Sequence, residues 1–295
     1  MLRKSLLYKS GVEYADFCLN HVEGCSHGCT FPCYAFLMAK RFGKVKTYNQ
    51  WIKPKIVTNA LGLLDKEIPK YKDQIKFVHL CFMTDPFMYG HPEVRNLTLK
   101  IIEKLNQNKI KCTVLTKGTL PAALVNKERY GADNEYGITL VSLDKGFKQR
   151  FEPGSAPYEA RINSLETLHK KGLMTWVSME PYPTPNLVDQ DLMRILDKIS
   201  FVDKIVFGKL NYNVQSSQFK GSGRFYEDCA RKVIDFCKEC GIDYHIKFGT
   251  RREYNRRTET LFEKPKNYKI VISKYPSLLE PPKKSDFSVV ACNSF

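Results

Sequence analysis

Three cysteines, Cys25, Cys29 and Cys33, lie close together in the stretch GCSHGCTFPCYAF, residues 24–36. Three thiolates can hold a [4Fe–4S] cluster by three irons and leave the fourth iron open to a small molecule, whereas a tetrahedral zinc ion needs a fourth ligand. His27 is a candidate for that fourth ligand. Structural zinc sites usually carry C-x2-C pairs, and the spacing here is C-x3-C-x3-C. It therefore favours a cluster, with zinc or unliganded thiols as the alternatives.

Polar residues also follow six of the apolar stretches that the sequence predicts as strands. Each one alone is explained by the needs of a turn. Because the carboxyl ends of parallel strands meet at one rim, the whole set predicts a binding site there. The residues are Thr84 and Asp85, Lys117, Ser142 and Asp144, Glu180, Lys209 and Asn211, and Lys247.

These residues are positioned by strands and helices that alternate along the chain. Seven apolar stretches predict strands: YADFCLNHVEG, IKFVHLCFM, KCTVLTK, YGITLVSL, MTWVSME, KIVFGKL and DYHIKFG. Most are followed by a segment with apolar residues at helical spacing, such as 92–108. LPAALVNKE, residues 120–128, is one of the predicted helices. This alternation predicts an α/β protein whose parallel sheet curls into a full or partial barrel.

The composition narrows the class of protein. A chain of 295 residues with 43% hydrophobic residues can form one large domain. No apolar run reaches the roughly 18 residues of a membrane helix, and the start of the chain lacks a signal-peptide core, so we expect a cytoplasmic protein. Ten cysteines in that compartment predict reduced thiols. The net charge of +16 favours an anionic partner, nucleic acid first, although a solvated basic surface explains it almost as well.

The cysteine stretch is similar to the cluster loop of the radical S-adenosylmethionine (SAM) superfamily, whose usual form is C-x3-C-x-aromatic-C after the first strand of a partial (β/α)6 barrel. CFMTDPF, VLTKG, SLDKGFKQRFEPGSAPYEARINSLETLHKKG and MEPYPTP resemble the spore photoproduct lyase-like branch in order and spacing. CGIDYHIKFG is similar to the last strand of phage-associated members. The resemblance covers about residues 16 to 250. It implies a partial (β/α)6 TIM-type barrel over residues 1–250, followed by a basic C-terminal extension, 251–295.

The cluster loop departs from the family pattern by one residue. Phe31 stands where the family has its aromatic residue, and Pro32 is inserted before Cys33. Proline fixes φ and lacks a backbone N–H, so the backbone that lies against the SAM adenine in the family must run differently here. Three thiolates can still reach one cluster.

The resemblance implies roles for individual residues. Cys25, Cys29 and Cys33 would bind three irons of a [4Fe–4S] cluster, and SAM would chelate the fourth. Arg150 and Glu152, in QRFEPG, would either contribute to the site or pair with each other to hold their loop. The other implied contacts are Lys117 with the SAM carboxylate, Thr84 and Asp85 with its amine, Ser142 with the ribose, Phe31 and Tyr34 with the adenine, and Glu180 and Lys247 with the ribose or the substrate.

The chemistry would follow from the cofactor. The family's reaction is reductive cleavage of SAM to a 5′-deoxyadenosyl radical that abstracts hydrogen from a substrate, with an electron donor such as flavodoxin or ferredoxin. Three classes of function remain open: a radical SAM enzyme for a nucleotide, nucleic acid or other anionic substrate, one for a peptide or small metabolite, and a non-catalytic basic nucleic-acid-binding protein with a structural metal. Repair of the spore photoproduct itself is disfavoured, because Met83 and not a cysteine directly precedes Thr84.

Two further groups of residues allow more than one interpretation. Cys229, Cys237 and Cys240 could hold an auxiliary cluster with Cys292, although their helical spacing favours core packing. The segment GTRREYNRR, residues 249–257, combines arginines with a tyrosine and suits either a phosphate backbone or a solvated loop.

Overall fold

The computed structural model describes residues 1–11, 15–31 and 33–251. Within them, one eight-stranded sheet has the order β1-β2-β5-β6-β7-β8-β9-β10, and β3 and β4 form a separate antiparallel pair. The sheet strands are β1 (Leu7–Lys9), β2 (Phe17–Leu19), β5 (Phe77–Leu80), β6 (Lys111–Thr116), β7 (Glu135–Thr139), β8 (Met174–Tyr182), β9 (Lys204–Lys209) and β10 (Asp243–Ile246). The pair is β3 (Val22–Glu23) and β4 (Lys55–Ile56).

Helices occupy most of the connections between the strands. They are α1 (Tyr34–Arg41), α2 (Tyr48–Trp51), α3 (Ala60–Tyr71), α4 (Pro92–Gln107), α5 (Lys127–Tyr130), α6 (Lys145–Phe151), α7 (Tyr158–His169), α8 (Leu192–Lys198), α9 (Val214–Ser217) and α10 (Ser222–Cys240). No helix among the described residues is long and apolar enough to span a membrane.

The seven strands of this sheet other than β1 pair in parallel, and β1 joins one edge in the antiparallel direction. Apolar residues lie side by side on neighbouring strands, as Leu19, Leu80 and Val114 do, and all three are fully buried. Helices such as α4 cover this face with Ile101, Ile102 and similar side chains. Burial of the sheet explains why its strands are continuous apolar runs in the sequence.

The predicted class, an α/β partial TIM-type barrel, is confirmed, and the seven predicted strands are the seven parallel strands of the sheet. The structure adds the short strand β1, which the sequence analysis missed. The predicted helix 120–128 is instead a 3₁₀ turn, Ala122–Val125, followed by the four-residue α5. The Asn126 side chain accepts a hydrogen bond from the Arg129 N–H and so starts a new helix there. The predicted boundary at residue 250 remains a prediction, and the extension beyond Arg251 lies outside the described residues.

Two glycines provide a test of the packing. A Cβ on Gly137, in β7, would lie 2.4 Å from Cε2 of the Trp176 ring on the paired strand β8, whereas a Cβ on Gly62, on the exposed side of α3, would meet no atom within 4 Å. We expect Gly137→Ala to lower the free energy of unfolding by about 1–3 kcal/mol through overpacking. Gly62→Ala should raise it by roughly 0.5–1 kcal/mol through helix propensity. Urea denaturation of both variants measures the free energy of unfolding. A Gly137→Ala variant as stable as the wild type would contradict the close contact between Gly137 and Trp176.

Candidate active site

The cysteine loop between β3 and α1 is fixed by its backbone to two neighbouring segments. The Cys25 N–H donates to the Trp51 carbonyl oxygen at 2.9 Å, and the Thr30 N–H donates to that of Phe151 at 3.0 Å. Gly24 has φ +83°, and a Cβ there would lie 2.5 Å from the Trp51 oxygen, so this turn requires glycine. The loop therefore has a defined course on either side of Pro32, which lies outside the described residues.

Cys25, Cys29 and Cys33 are free and partly exposed thiols. Burial raises the pKa of Cys25, and the charges of Asp85, Cys29 and Cys33 raise it further. Burial also raises the pKa of Cys29 to about 11, against the opposing effect of Lys117. A bound metal would deprotonate such thiols, because its charge replaces the missing counter-charge.

His27, the candidate fourth zinc ligand, is buried and engaged by protein groups on both ring nitrogens. Nε2 accepts a hydrogen bond from the Tyr89 N–H at 3.1 Å, and Nδ1 lies 3.4 Å from Oδ2 of Asp85. Burial lowers the pKa of His27 to about 4, against the opposing effect of Asp85. The His27 ring thus holds the cysteine loop against Tyr89 and Asp85.

Asp85 joins the end of β5 to the end of β6. Its Oδ1 accepts from the Thr116 hydroxyl at 2.6 Å and from the Phe87 N–H at 2.9 Å, and its Oδ2 accepts from the Lys117 N–H at 2.7 Å. The side chain is buried. The structure therefore gives Asp85 a positioning role that the sequence did not suggest, and its contact with the SAM amine stays a prediction.

Lys117, directly after β6, lies at the centre of the site. Its Nζ is 3.1 Å from Oε2 of Glu152, 3.6 Å from Sγ of Cys29 and 4.8 Å from the centroid of the Phe31 ring. Burial alone would lower the pKa of Lys117, but the Cys29 thiolate and Glu152 outweigh it and raise the pKa. The structure thus brings a predicted SAM ligand, Lys117, into contact with a predicted cluster ligand.

Glu152 is fully buried and contacts a second cation, Arg161 of α7, with 3.3 Å between Oε1 and Nη2. Burial would raise the pKa of Glu152, but Lys117 and Arg161 together lower it. The suggested pairing of Arg150 with Glu152 is wrong. The Arg150 guanidinium lies 4.9 Å from the centroid of the Phe151 ring and 3.4 Å from Oε1 of Gln215.

Arg161 was missed by the sequence analysis. The signal that could have found it is an arginine on the apolar face of α7, among Tyr158, Ile162 and Leu165. A fully buried arginine requires a buried acidic partner. Glu152 is the carboxylate that the structure provides.

The two predicted adenine neighbours lie in different surroundings. Phe31 is buried, with its ring stacked on that of Phe151 at 5.5 Å between centroids and tilted against that of Phe147 at 6.0 Å. Tyr34, the first residue of α1, is 49% exposed. Tyr34 thus offers a free ring face at the rim, whereas Phe31 supports the loop and Lys117 from below.

The remaining predicted ligands lie around the same rim. The Thr84 hydroxyl donates to the Val22 carbonyl oxygen at 3.3 Å, and the buried Ser142 hydroxyl accepts from the Asp144 N–H at 3.0 Å. Glu180 and Lys247 pair at 3.6 Å. A Cβ on Gly208 would lie 2.9 Å from atoms of both side chains, so the glycine leaves the space in which they meet.

The cysteines of α10 are divided between the core and the surface. Cys229 and Cys237 belong to the main hydrophobic core, as core packing predicted, whereas Cys240 is exposed. Cys292, the suggested further ligand of an auxiliary cluster, lies outside the described residues.

The donors at the rim fit an iron–sulfur cluster better than a single ion. No three His, Cys, Asp or Glu side chains of the described residues form a group that could hold one metal ion. A [4Fe–4S] cluster does not need such a group, because each of its three cysteines binds a different iron. Three neighbouring thiols at the C-terminal rim of a partial barrel, with Lys117 beside them, thus fit an enzyme that carries such a cluster.

Comparison with known proteins identifies the family. Residues 19–199 match the model of the Radical SAM superfamily, and the chain belongs to that superfamily. Members of this superfamily use a [4Fe–4S] cluster and SAM, so the match favours an enzyme with these cofactors over a non-catalytic binding protein.

The chain is also similar to two uncharacterized proteins and to a solved structure. An uncharacterized protein of Acidianus two-tailed virus is 27% identical over 64% of this chain and 64% of its own length, less than two thirds. One of Methanocaldococcus jannaschii is 25% identical over 70% of this chain and 74% of its own length. A spore photoproduct lyase complexed with dinucleoside spore photoproduct has a TM-score of 0.57 at 13% identity, covering 83% of this chain and 80% of that one. This last similarity shows a shared fold.

Proposed function

We propose that this radical SAM enzyme acts on a nucleotide or nucleic acid whose base is held at the C-terminal rim of the barrel. The observation that carries the proposal is the position of the exposed aromatic side chains. The described residues include seven exposed aromatic side chains, and five of them follow the C-terminal ends of strands or the cysteine loop. They are Tyr34, Phe82, Tyr89, Tyr212 and Phe248.

Tyr212 and Tyr34 belong to segments that both adjoin the cysteine loop. Burial raises the pKa of Tyr34, and the charge of Tyr212 adds to that effect. The Asn213 side-chain amide donates to the Phe31 carbonyl oxygen at 3.5 Å, so the segment after β9 touches the loop. Tyr212 has φ +60° and is 54% exposed. Such a strained, exposed tyrosine is typical of a functional site.

The charge of the protein complements this aromatic surface. Lysines accompany the rings, since Lys209 ends β9 and Lys247 directly precedes Phe248. The whole chain carries a net charge of +16. Aromatic rings that stack on bases, together with cations that follow a phosphate backbone, are the features that proteins use to bind single-stranded or unstacked nucleotides.

The residues of the rim have separate tasks in this proposal. Cys25, Cys29 and Cys33 hold the cluster, and Lys117 binds the SAM carboxylate. Contacts with the rest of SAM come from Tyr34, Thr84, Asp85, Ser142, Glu180 and Lys247, and the buried Phe31 supports the loop and Lys117. When bound, the cluster and SAM supply the radical that abstracts hydrogen from the substrate, after reduction by a donor such as flavodoxin or ferredoxin. Tyr212 and Phe248 hold the substrate base.

Spore photoproduct lyase, which shares the fold, was solved with a dinucleoside, and this is compatible with the proposed class of substrate. The lesion itself is not proposed. Met83 precedes Thr84, and the nearby Cys81 is buried with its Sγ 3.3 Å from Nδ1 of His21. A peptide or small metabolite is the alternative substrate, and it predicts no affinity for oligonucleotides.

Binding of a fluorescein-labelled single-stranded oligonucleotide to the purified protein tests the proposal by fluorescence anisotropy. We expect Kd to rise steeply with salt, because lysine contacts with phosphates release counterions. We expect Tyr212→Ala and Phe248→Ala each to weaken binding by about 1–3 kcal/mol, the worth of one stacked base, or roughly 5- to 150-fold.

Phe42→Ala is the matched control, because Phe42 is 65% exposed at the end of α1 and is not one of the five rim aromatics. Its affinity should equal that of the wild type. An equal loss in Phe42→Ala, or no measurable binding by the wild type at low salt, would exclude nucleic acid as the substrate and favour the alternative.

A further inference from the structure

Three buried or nearly buried charged side chains lie together beside the cysteine loop. Glu152 and Arg161 are fully buried, and the Lys117 side chain is 15% exposed. Oε2 of Glu152 lies 3.1 Å from Lys117 Nζ and accepts a hydrogen bond from Arg161 Nη1 at 3.4 Å, and Oε1 lies 3.3 Å from Arg161 Nη2. Removing one partner from a buried pair is costly, so each member constrains the position of the next.

Arg161 anchors this group to the barrel. Its Nη1 donates to the carbonyl oxygen of Thr139, at the end of β7, at 2.9 Å, and its Nε donates to that of Ala156 at 2.9 Å. A further guanidinium N–H donates to the Ser155 hydroxyl. The planar guanidinium is therefore fixed by several acceptors, and a shift of Glu152 would break its ion pair with Arg161.

The segment that carries Glu152 also holds the cysteine loop. Thr30 bonds to the Phe151 carbonyl oxygen, and the Gly154 N–H donates to that of His27 at 3.0 Å. A Cβ on Gly154 would lie 2.3 Å from the Ser26 carbonyl oxygen, so the two backbones are in direct contact. The carboxylate and the cysteines are thus fixed relative to each other.

Lys117 connects this group to the cysteines. Its ammonium carries three hydrogen-bond donors. One is directed at Glu152, and another at Cys29 Sγ, 3.6 Å away. A lysine on a flexible stem does not hold one position without such contacts. In this geometry Glu152 determines where the Lys117 ammonium lies relative to the Cys29 sulfur.

We propose that Glu152, fixed by Arg161, is a positioning residue that keeps the Lys117 ammonium hydrogen-bonded to Cys29 and thereby makes the cluster easier to reduce. The inference rests on the proposed binding of the cluster by Cys29. The step concerned is the transfer of one electron from a reduced flavodoxin- or ferredoxin-type donor, which is oxidised, to the cluster, which is reduced. A cation and a hydrogen bond at a ligand sulfur stabilise the added negative charge.

The reduction potential of the reconstituted cluster, measured by a redox titration followed by EPR without SAM, tests the role of Lys117. We expect Lys117→Met to keep its iron and to lower the potential. The reduced-to-oxidised ratio at a fixed potential should fall about tenfold, which is about 59 mV for one electron. Lys117→Arg, which keeps the charge, should recover most of the shift. An unchanged potential in Lys117→Met would overturn the proposal.

Glu152→Gln separates positioning from a simple effect of charge, because the two predict opposite signs. Removal of a negative charge near the cluster, with Lys117 still in place, would raise the potential. If Glu152 positions Lys117, its loss lets the ammonium leave Cys29, and the potential falls as it does in Lys117→Met. In the Lys117→Met background, Glu152→Gln should then raise the potential. A higher or unchanged potential in the single variant would overturn the proposal.

Two further variants serve as a control for the removal of a carboxylate and as a substitute if Glu152→Gln does not fold. Glu135→Gln removes a carboxylate that pairs with Lys204 at 2.5 Å at the opposite, N-terminal end of the strands, and its potential should equal that of the wild type. If Glu152→Gln does not fold, Glu152→Asp keeps the charge but shortens the side chain. The proposal expects a lower potential for it, and an unchanged one overturns it. Absence of iron from the wild type would instead refute the proposed cluster site.

Discussion

Cys25→Ala, Cys29→Ala and Cys33→Ala are each expected to abolish retention of iron and cleavage of SAM. A cluster held by three thiolates has no spare protein ligand. The structure strengthens this expectation, because both ring nitrogens of His27 in the same loop are already engaged by Tyr89 and Asp85. Iron and sulfide content, visible absorption and SAM cleavage after anaerobic reconstitution measure the result.

Cys237→Ala and Cys240→Ala are the controls for this prediction. Cys237 is buried in the core, so its truncation should lower the free energy of unfolding, whereas exposed Cys240 should tolerate the change. Both variants should keep the iron and the activity of the wild type. Loss of iron in either one would revive the auxiliary cluster, and full iron in any of the three loop variants would refute the assigned ligands.

The fold could be predicted from the sequence because the sheet is buried. Strands such as β5 appear as continuous apolar runs, and helices such as α4 show clear helical spacing. Strand β1 was missed because it has three residues with only Leu7 buried, too few for a period to appear. The segment 120–128 was mistaken for one helix because its apolar spacing conceals the interruption at Asn126.

The positions of the site residues followed from the same pattern, since strand ends define the rim. Their partners did not, because these depend on loops that are far apart in the sequence. Arg150 and Glu152 are neighbours in the sequence, yet residues two apart at the end of a helix do not face each other. Glu152 therefore points to Lys117 and Arg161, and the sequence analysis missed the group of charges that supports the site.

These contacts change the interpretation of Lys117. From the sequence, it was one cation at a strand end. In the structure it has one contact with a buried carboxylate and another with a cysteine of the loop, so two of its three donors are directed at protein groups. We expect the third donor to bind the SAM carboxylate. The proposed contact with SAM and the proposed effect on the cluster thus involve the same side chain, so the two effects must be measured separately.

Lys117→Ala is expected to weaken SAM binding by about 1.5–3 kcal/mol, the range of a charge-assisted hydrogen bond, which is about ten- to a hundredfold in affinity. The cluster should remain, because its three cysteine ligands are unchanged. The fold should also remain, since Glu152 keeps its contact with Arg161. Titration of SAM into the reconstituted, oxidised wild type and variant measures the change, with iron content determined on the same samples.

Lys148→Ala is the matched control for the loss of one positive charge. Lys148 lies on α6, and its Nζ donates to the Pro153 carbonyl oxygen at 3.2 Å, beside the same segment but outside the predicted SAM contacts. A partly exposed lysine of this kind contributes under about 1 kcal/mol to the free energy of binding, so SAM affinity should change less than about fivefold. Equal SAM affinity in Lys117→Ala and the wild type would remove Lys117 from the cofactor site. The remaining SAM contacts along the strand ends would then lose their main support, because they were placed relative to this cation.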